Sequence, residues 1–209
     1  MQKNIFLILL LIAQWQISIA QNKEFSGRIL YKNTFFRPNG EDITSKLAVA
    51  LGAEQDYYIS GRNYKSILNG TTITMQMFKG ETNKYYMVLP NKTAQVMNVS
   101  GTGDSILSIV HGTKDTIILG RTCKSIVITE TKATTTYYYD PTLKVNKDNF
   151  KKHDLGNYNR YLQEANGALP IKYIVTNKMF IWDAEATKIE EMALTDKDFE
   201  LSDDIKVKE

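Results

Sequence analysis

The sequence predicts a mainly β domain of the α+β kind, with about ten antiparallel strands and one or two helices. Three observations carry this expectation. Residues 116–140 read as two strands joined by a polar turn. Ile117, Ile118, Val127, Ile128 and the triple Tyr137, Tyr138, Tyr139 supply β-branched and aromatic positions, and Thr122, Ser125 and Thr129 the polar ones. From Tyr57 onward, clusters such as Gly61-Arg62-Asn63, Asn69-Gly70 and Asn91-Lys92 separate short apolar runs, and short loops between successive strands imply an antiparallel meander. Near the start, Phe25, Gly27, Ile29 and Tyr31 alternate with Ser26, Arg28, Leu30 and Lys32 at a period of two.

In chain order, Lys3 precedes an unbroken apolar run over residues 5–13, and Ser18, Ile19 and Ala20 place small residues at its end. This pattern predicts a secretory signal peptide over residues 1–20 and a single domain over 21–209. The run is too short to cross a bilayer, which takes about 20 apolar residues, and polar Gln14, Gln16 and Gln21 follow it. An exported chain, periplasmic or secreted and with no membrane span after cleavage, is therefore expected. Lys and Arg number 26 against 23 Asp and Glu, so no basic field points to nucleic acid. The single cysteine excludes an internal disulfide.

The first strand covers residues 25–32, with Asn39-Gly40 in the loop after it. Residues 45–51 are read as a short helix capped by Asp42 or Thr44. Asn69-Gly70 is the strongest hairpin signal, since both residues accept the positive φ of a type I′ turn. Pro141 is expected to end the tyrosine strand, and residues 148–154 to form a charged loop in which Lys151, Lys152 and His153 are a solvated basic spot. Leu155, Tyr158 and Leu162 recur at helical spacing with Gly167 as a stop, predicting a helix over residues 156–165. Residues 168–182 return to strand, split near Asn177-Lys178, and residues 187–194 read as a final strand.

Strand alternation selects the candidate ligand-contacting residues. Met75 and Met77, Tyr85 and Met87, and Met97 fall on apolar strand faces, and these are four of the seven methionines. Methionine adapts to variable apolar shapes, so such a face serves either a ligand or an irregular core. Tyr137 and Tyr139 share one face of their strand, where an apolar ring with a polar tip suits a pocket mouth as well as a half-exposed sheet. Neighbours in Tyr57-Tyr58 and Tyr85-Tyr86 must point to opposite faces.

No catalytic or metal pattern is met. Cys123 lies in an apolar context that fits a small core residue, with His111 the one conceivable partner base. His111 and His153 stand far apart, without metal-ligand spacing around them. No cofactor and no enzymatic activity are expected.

Several phrases resemble those of exported Bacteroidota proteins, the GLPGLI-type and domain-of-unknown-function families grouped with the LolA/LolB-like half-barrels. They are Phe25-Ser26-Gly27-Arg28-Ile29 with Tyr31, Leu119-Gly120 with Cys123-Lys124, Leu169-Pro170-Ile171-Lys172-Tyr173, and Phe199-Glu200-Leu201. Arg121 departs from the aromatic expected after the central glycine, and Ser202 from the proline expected after the closing leucine. The resemblance implies a strongly curved antiparallel half-barrel with helices packed in or against its concave side, whose hollow accepts acyl chains in the lipoprotein carriers. Together these readings lead to a non-catalytic exported binding protein for a lipid or other apolar ligand. The alternative is an envelope-associated structural or interaction module whose concavity is filled by its own helix.

Overall fold

The structure is a computed structural model that describes residues 23–208; the signal-peptide reading falls on residues 1–20, outside them. Alternating apolar positions draw the chain into one sheet of thirteen strands. The first meander comprises β1 (Gly27–Phe36), β2 (Glu54–Ser60), β3 (Asn63–Leu68), β4 (Met75–Lys79), β5 (Lys84–Val88) and β6 (Thr93–Asn98), with helix α1 (Thr44–Leu51) between β1 and β2. The second part holds β7 (Ile106–His111), β8 (Thr116–Ile118), β9 (Arg121–Glu130), β10 (Ala133–Lys144), helix α2 (Tyr158–Glu164), β11 (Ala168–Asn177) and β12 (Ile181–Glu191). A last short strand, β13 (Lys206–Lys208), lies parallel to β6. The order across the sheet is β13-β6-β5-β4-β3-β2-β1-β12-β11-β10-β9-β7, with β8 also on β9. Strand β1 thus joins the two parts, pairing β2 on one side and β12 on the other.

The sheet is strongly curved. Strands β3 and β10 are five positions apart in the sheet order, about 24 Å in a flat sheet at about 4.8 Å per strand. Yet the seven-residue helix α2, about 10 Å long, touches both. Its Tyr158 ring meets Tyr64 of β3 at 5.8 Å, and its Tyr161 ring stacks on Tyr137 of β10 at 4.0 Å. Only a sheet wrapped around the helix permits both contacts. The main core lies in that hollow, where Ile29, Phe78, Ile126, Phe150, Tyr161, Leu162 and Ile171 are fully buried.

Several expectations are corrected. Strand β10 runs through Pro141 to Lys144; its register breaks after Tyr139, which leaves the proline where no ladder donor is required. Residues 187–191 are the second half of β12, one continuous strand with a bulge opposite Leu30 and Tyr31, and the closing strand is β13. Asn69-Gly70 makes no tight hairpin: six residues separate β3 from β4, and neither residue has positive φ. Gly70 is needed there for close approach, since a Cβ would stand 2.5 Å from the Ala50 carbonyl oxygen at the end of α1. Among the turns that join neighbouring strands, the one with two consecutive positive φ values is Leu119-Gly120, between β8 and β9. Both helices form, α2 later than expected. Asp42 accepts from the Thr44 amide at 2.8 Å before α1. Leu155–Asn157 make a separate 3-10 turn with positive φ at Gly156 and Asn157, so α2 begins at Tyr158 and ends before Asn166 and Gly167, which also take positive φ.

Candidate functional site

Helix α2 fills much of the hollow and leaves a cavity of about 190 Å³ beside it. Strand pairing explains its walls. Tyr31 opposes Gln55, and Tyr57, Ser66 and Gln76 follow one another across β2, β3 and β4 on the same rung. Side chains on one rung share a face, so all of these point inward with Tyr64, two residues from Ser66. From the other part of the sheet, Tyr137 opposes Tyr173, and Thr135 opposes Val175. Tyr158 comes from α2. Six tyrosines therefore surround the cavity, with Gln55, Ser66, Gln76 and Thr135 as its polar side chains and Pro170 and Val175 completing it.

Five of the six phenols have a hydrogen-bond partner. Tyr31 donates to the Pro170 carbonyl oxygen at 2.5 Å, Tyr173 donates to Gln55 Oε1 at 2.8 Å, and Tyr64 lies 2.6 Å from His153 Nε2. The Tyr57 and Tyr158 oxygens are 3.0 Å apart and share one proton between them as a hydrogen bond. Gln55 Nε2 in turn donates to Ser66 Oγ at 2.9 Å. Rings contact rings around the wall: Tyr31 with Tyr173 at 5.6 Å and Tyr57 with Tyr64 at 5.3 Å. No charged side chain lines the cavity. Burial pushes the phenols of Tyr31, Tyr57, Tyr64, Tyr137 and Tyr173 well above their ordinary value, and that of Tyr158 up to about 12, so the wall is neutral at any physiological pH.

Of the residues selected from the sequence, Tyr137 lines this cavity. Tyr85 and Tyr139 are buried in the same core, edge-on to His153 and Tyr161 respectively, and Met87 and Met97 pack against it without reaching the cavity. Met75 and Met77 point the other way. Met77 opposes Lys65 and Tyr86, on the convex face, where it is fully buried. The turn Asp196–Phe199 crosses that face: Lys65 Nζ donates to the Asp198 carbonyl and stands 6.0 Å from the centre of the buried Phe199 ring.

Sequence reasoning missed Tyr31, Tyr57, Tyr64, Tyr158 and Tyr173 as members of one wall. The alternation at Tyr31 and the helical spacing at Tyr158 were visible, but only the strand order shows that the five converge. His153 was misread as part of a solvated basic spot. Its neighbours Lys151 and Lys152 are exposed, whereas His153 is buried between Phe78, Tyr64 and Tyr158. Burial lowers its pKa to about 4, and its Nδ1 has no hydrogen-bond partner among the described residues.

Cys123 is fully buried, and burial together with Asp140 raises its thiol pKa, as suits a core residue. His111 is exposed at the sheet edge, 3.0 Å from Glu164. Among the described residues no group of three or more His, Cys, Asp or Glu side chains is placed to hold a metal ion, and no helix is long and apolar enough to cross a membrane.

No protein-family model and no curated relative matches the sequence. Similar solved structures exist at low identity. PNGF-II in its C2 crystal form is 16% identical with a TM-score of 0.51, over 88% of this chain and 31% of that one. In its P21 form the values are 15% and 0.48. A LolA superfamily protein from Nitrosomonas europaea is 10% identical, with a TM-score of 0.38 over 87% of this chain and 92% of that one. A putative outer membrane lipoprotein-sorting protein domain from Vibrio parahaemolyticus is 12% identical, with a TM-score of 0.39 over 88% and 93%. The chain spans about a third of PNGF-II, and what the two share is the fold of that portion.

Proposed function

We propose that the chain is an exported, non-catalytic binding protein that holds a hydrophobic ligand, a lipid portion or another apolar body, in its tyrosine pocket. The observation that carries this reading is the cavity itself: α2 fills the hollow but leaves about 190 Å³ walled by six tyrosine rings and no charge. Pockets of this make-up, largely apolar with a few placed polar groups, are the usual form of small-ligand sites. Of the seven residues selected from the sequence, Tyr137 is the one assigned to direct contact, and Met87 enters as the neighbour of Gln76 on its rung. Export rests on the N-terminal pattern of Lys3, the apolar run and Ala20.

A second reading is favoured by a different observation. Among the described residues strand β7 is one edge of the sheet, β13 being the other, and on β7 Leu107 and Val110 are exposed, as is Ile117 on β8, which pairs the same strand β9. An apolar open edge is a template for pairing with another chain, which suits an envelope interaction module.

Native mass spectrometry with organic extraction separates the two. Protein exported to the periplasm of an expression host and purified without detergent is expected to release a bound apolar compound, or to take one up from mixed lipids and small apolar molecules. A chain that stays empty after that incubation overturns the binding reading in favour of the edge.

A further inference from the structure

Resting on the reading that the tyrosine pocket holds a ligand, we infer that this ligand is a compact neutral aromatic ring bearing a hydrogen-bond-accepting oxygen, such as an aryl ketone, and not a long acyl chain. Size is the first argument. An apolar cavity of about 150 Å³ accommodates benzene, and the present one is about 190 Å³. One substituted ring fills that space, whereas a long acyl chain would leave most of its length outside it.

The wall supplies the second argument. Because Tyr31, Tyr64 and Tyr173 have their hydroxyls engaged by Pro170, His153 and Gln55, their rings are pinned and offer faces and edges to the cavity. Aromatic rings prefer offset or edge-to-face partners, and an incoming ring continues the arrangement that Tyr31 and Tyr173 already make at an interplanar angle of 62°. A flexible chain gains no such directional contact and loses rotamer freedom on entry.

The polar groups supply the third. Tyr173 donates to Gln55 and Gln55 donates to Ser66, so the relay ends on a buried hydroxyl whose own hydrogen has no acceptor among the described residues. In the Tyr57–Tyr158 pair one phenol donates to the other, which leaves the second hydrogen free. Both donors border the cavity, and a buried donor is costly when left unmade. A ligand that completes them brings an acceptor. It also brings no net charge, since neither a carboxylate nor a cation lines the space to offset one.

The test compares three probes on the whole chain by calorimetry: acetophenone, ethylbenzene, which has the same outline without the acceptor, and laurate. Acetophenone is expected to bind about tenfold more tightly than ethylbenzene. Ser66→Ala is expected to remove most of that difference by weakening acetophenone alone. Val175→Phe, which fills the cavity without touching a donor, is expected to abolish binding of both rings. Equal binding of the two rings, or binding indifferent to Val175→Phe, overturns the inference. Binding of laurate without either ring overturns it as well but leaves the hydrophobic-ligand reading standing. Failure of all three probes overturns both.

Discussion

The Tyr64 hydroxyl and His153 Nε2 lie 2.6 Å apart in the core, with the imidazole between the Phe78 ring at 4.4 Å and the Tyr158 ring at 5.2 Å. Fewest polar atoms go unpaired when Tyr64 donates, which puts the imidazole proton on Nδ1 and keeps the ring neutral. The folded chain therefore takes up this proton near pH 4, against 6.5 for an unperturbed histidine. Between those values the unfolded chain binds more protons at this site, so the histidine's contribution to stability falls as pH drops from 6.5 to 4 and is constant below. The loss is about 2 kcal/mol between pH 7 and pH 4.5. Urea midpoints across this range are expected to show that loss in the native sequence and a smaller one in His153→Gln.

Tyr137 stacks on Tyr161 at 4.0 Å and lines the cavity. Tyr137→Ala removes a buried ring and its aromatic partner, with an expected cost of about 3–5 kcal/mol. Tyr137→Phe keeps the ring and the stack, with an expected cost of at most about 1 kcal/mol. Chemical denaturation measures both, and similar costs for the two variants count against the stack as the main contribution.

Gly70 and Gly61 are predicted to differ on substitution by alanine. At Gly70 the new Cβ meets backbone atoms of Ala50 and Gly52 at 2.5 and 2.6 Å, and neither can move without shifting the end of α1. A cost of about 1–3 kcal/mol is expected. At Gly61 nothing lies within 4 Å, and the penalty is the positive φ alone, about 1 kcal/mol. Thermal midpoints that rank the two the other way count against this assignment.

Leu119 occupies φ 51° in the turn before β9 and is exposed. A left-handed leucine is unfavourable by about 1 kcal/mol, and asparagine tolerates that conformation with a glycine following it. Leu119→Asn is expected to stabilise the chain by about 0.5–1 kcal/mol, read as an upward shift in urea midpoint with the slope unchanged.

Alternation and helical spacing were legible because they depend on neighbours in the chain. Ile29 and Tyr31 point inward in β1, and Tyr158 and Leu162 sit in α2 as their spacing required. The choice of face was not legible for β4. Met77 and Met87 carry the same pattern on paired strands, yet the register opposes Met77 to Tyr86 and Met87 to Gln76, which sends the two methionines to opposite sides of the sheet. The tight turn was misplaced for a related reason. Asn69-Gly70 has the local chemistry of a type I′ turn, but Gly70 is held against α1, while the positive φ values fall on Leu119, a residue that local preference argues against. The cavity itself required the order of strands, because its wall draws Tyr57 and Tyr64 from one part of the chain and Tyr137 and Tyr173 from the other.

The seam between β1 and β12 has a kinetic meaning. Gly27 pairs with Glu191 and Phe36 with Ile181, so closing it gathers nearly the whole chain into one loop, whereas β2 to β6 pair as successive hairpins. Pairings this distant in sequence slow folding, and local hairpins precede them. The two sets of tyrosines converge only once the seam has closed. An occupant of the pocket would thus recognise only the completed molecule, and by mass action it would favour the closed seam.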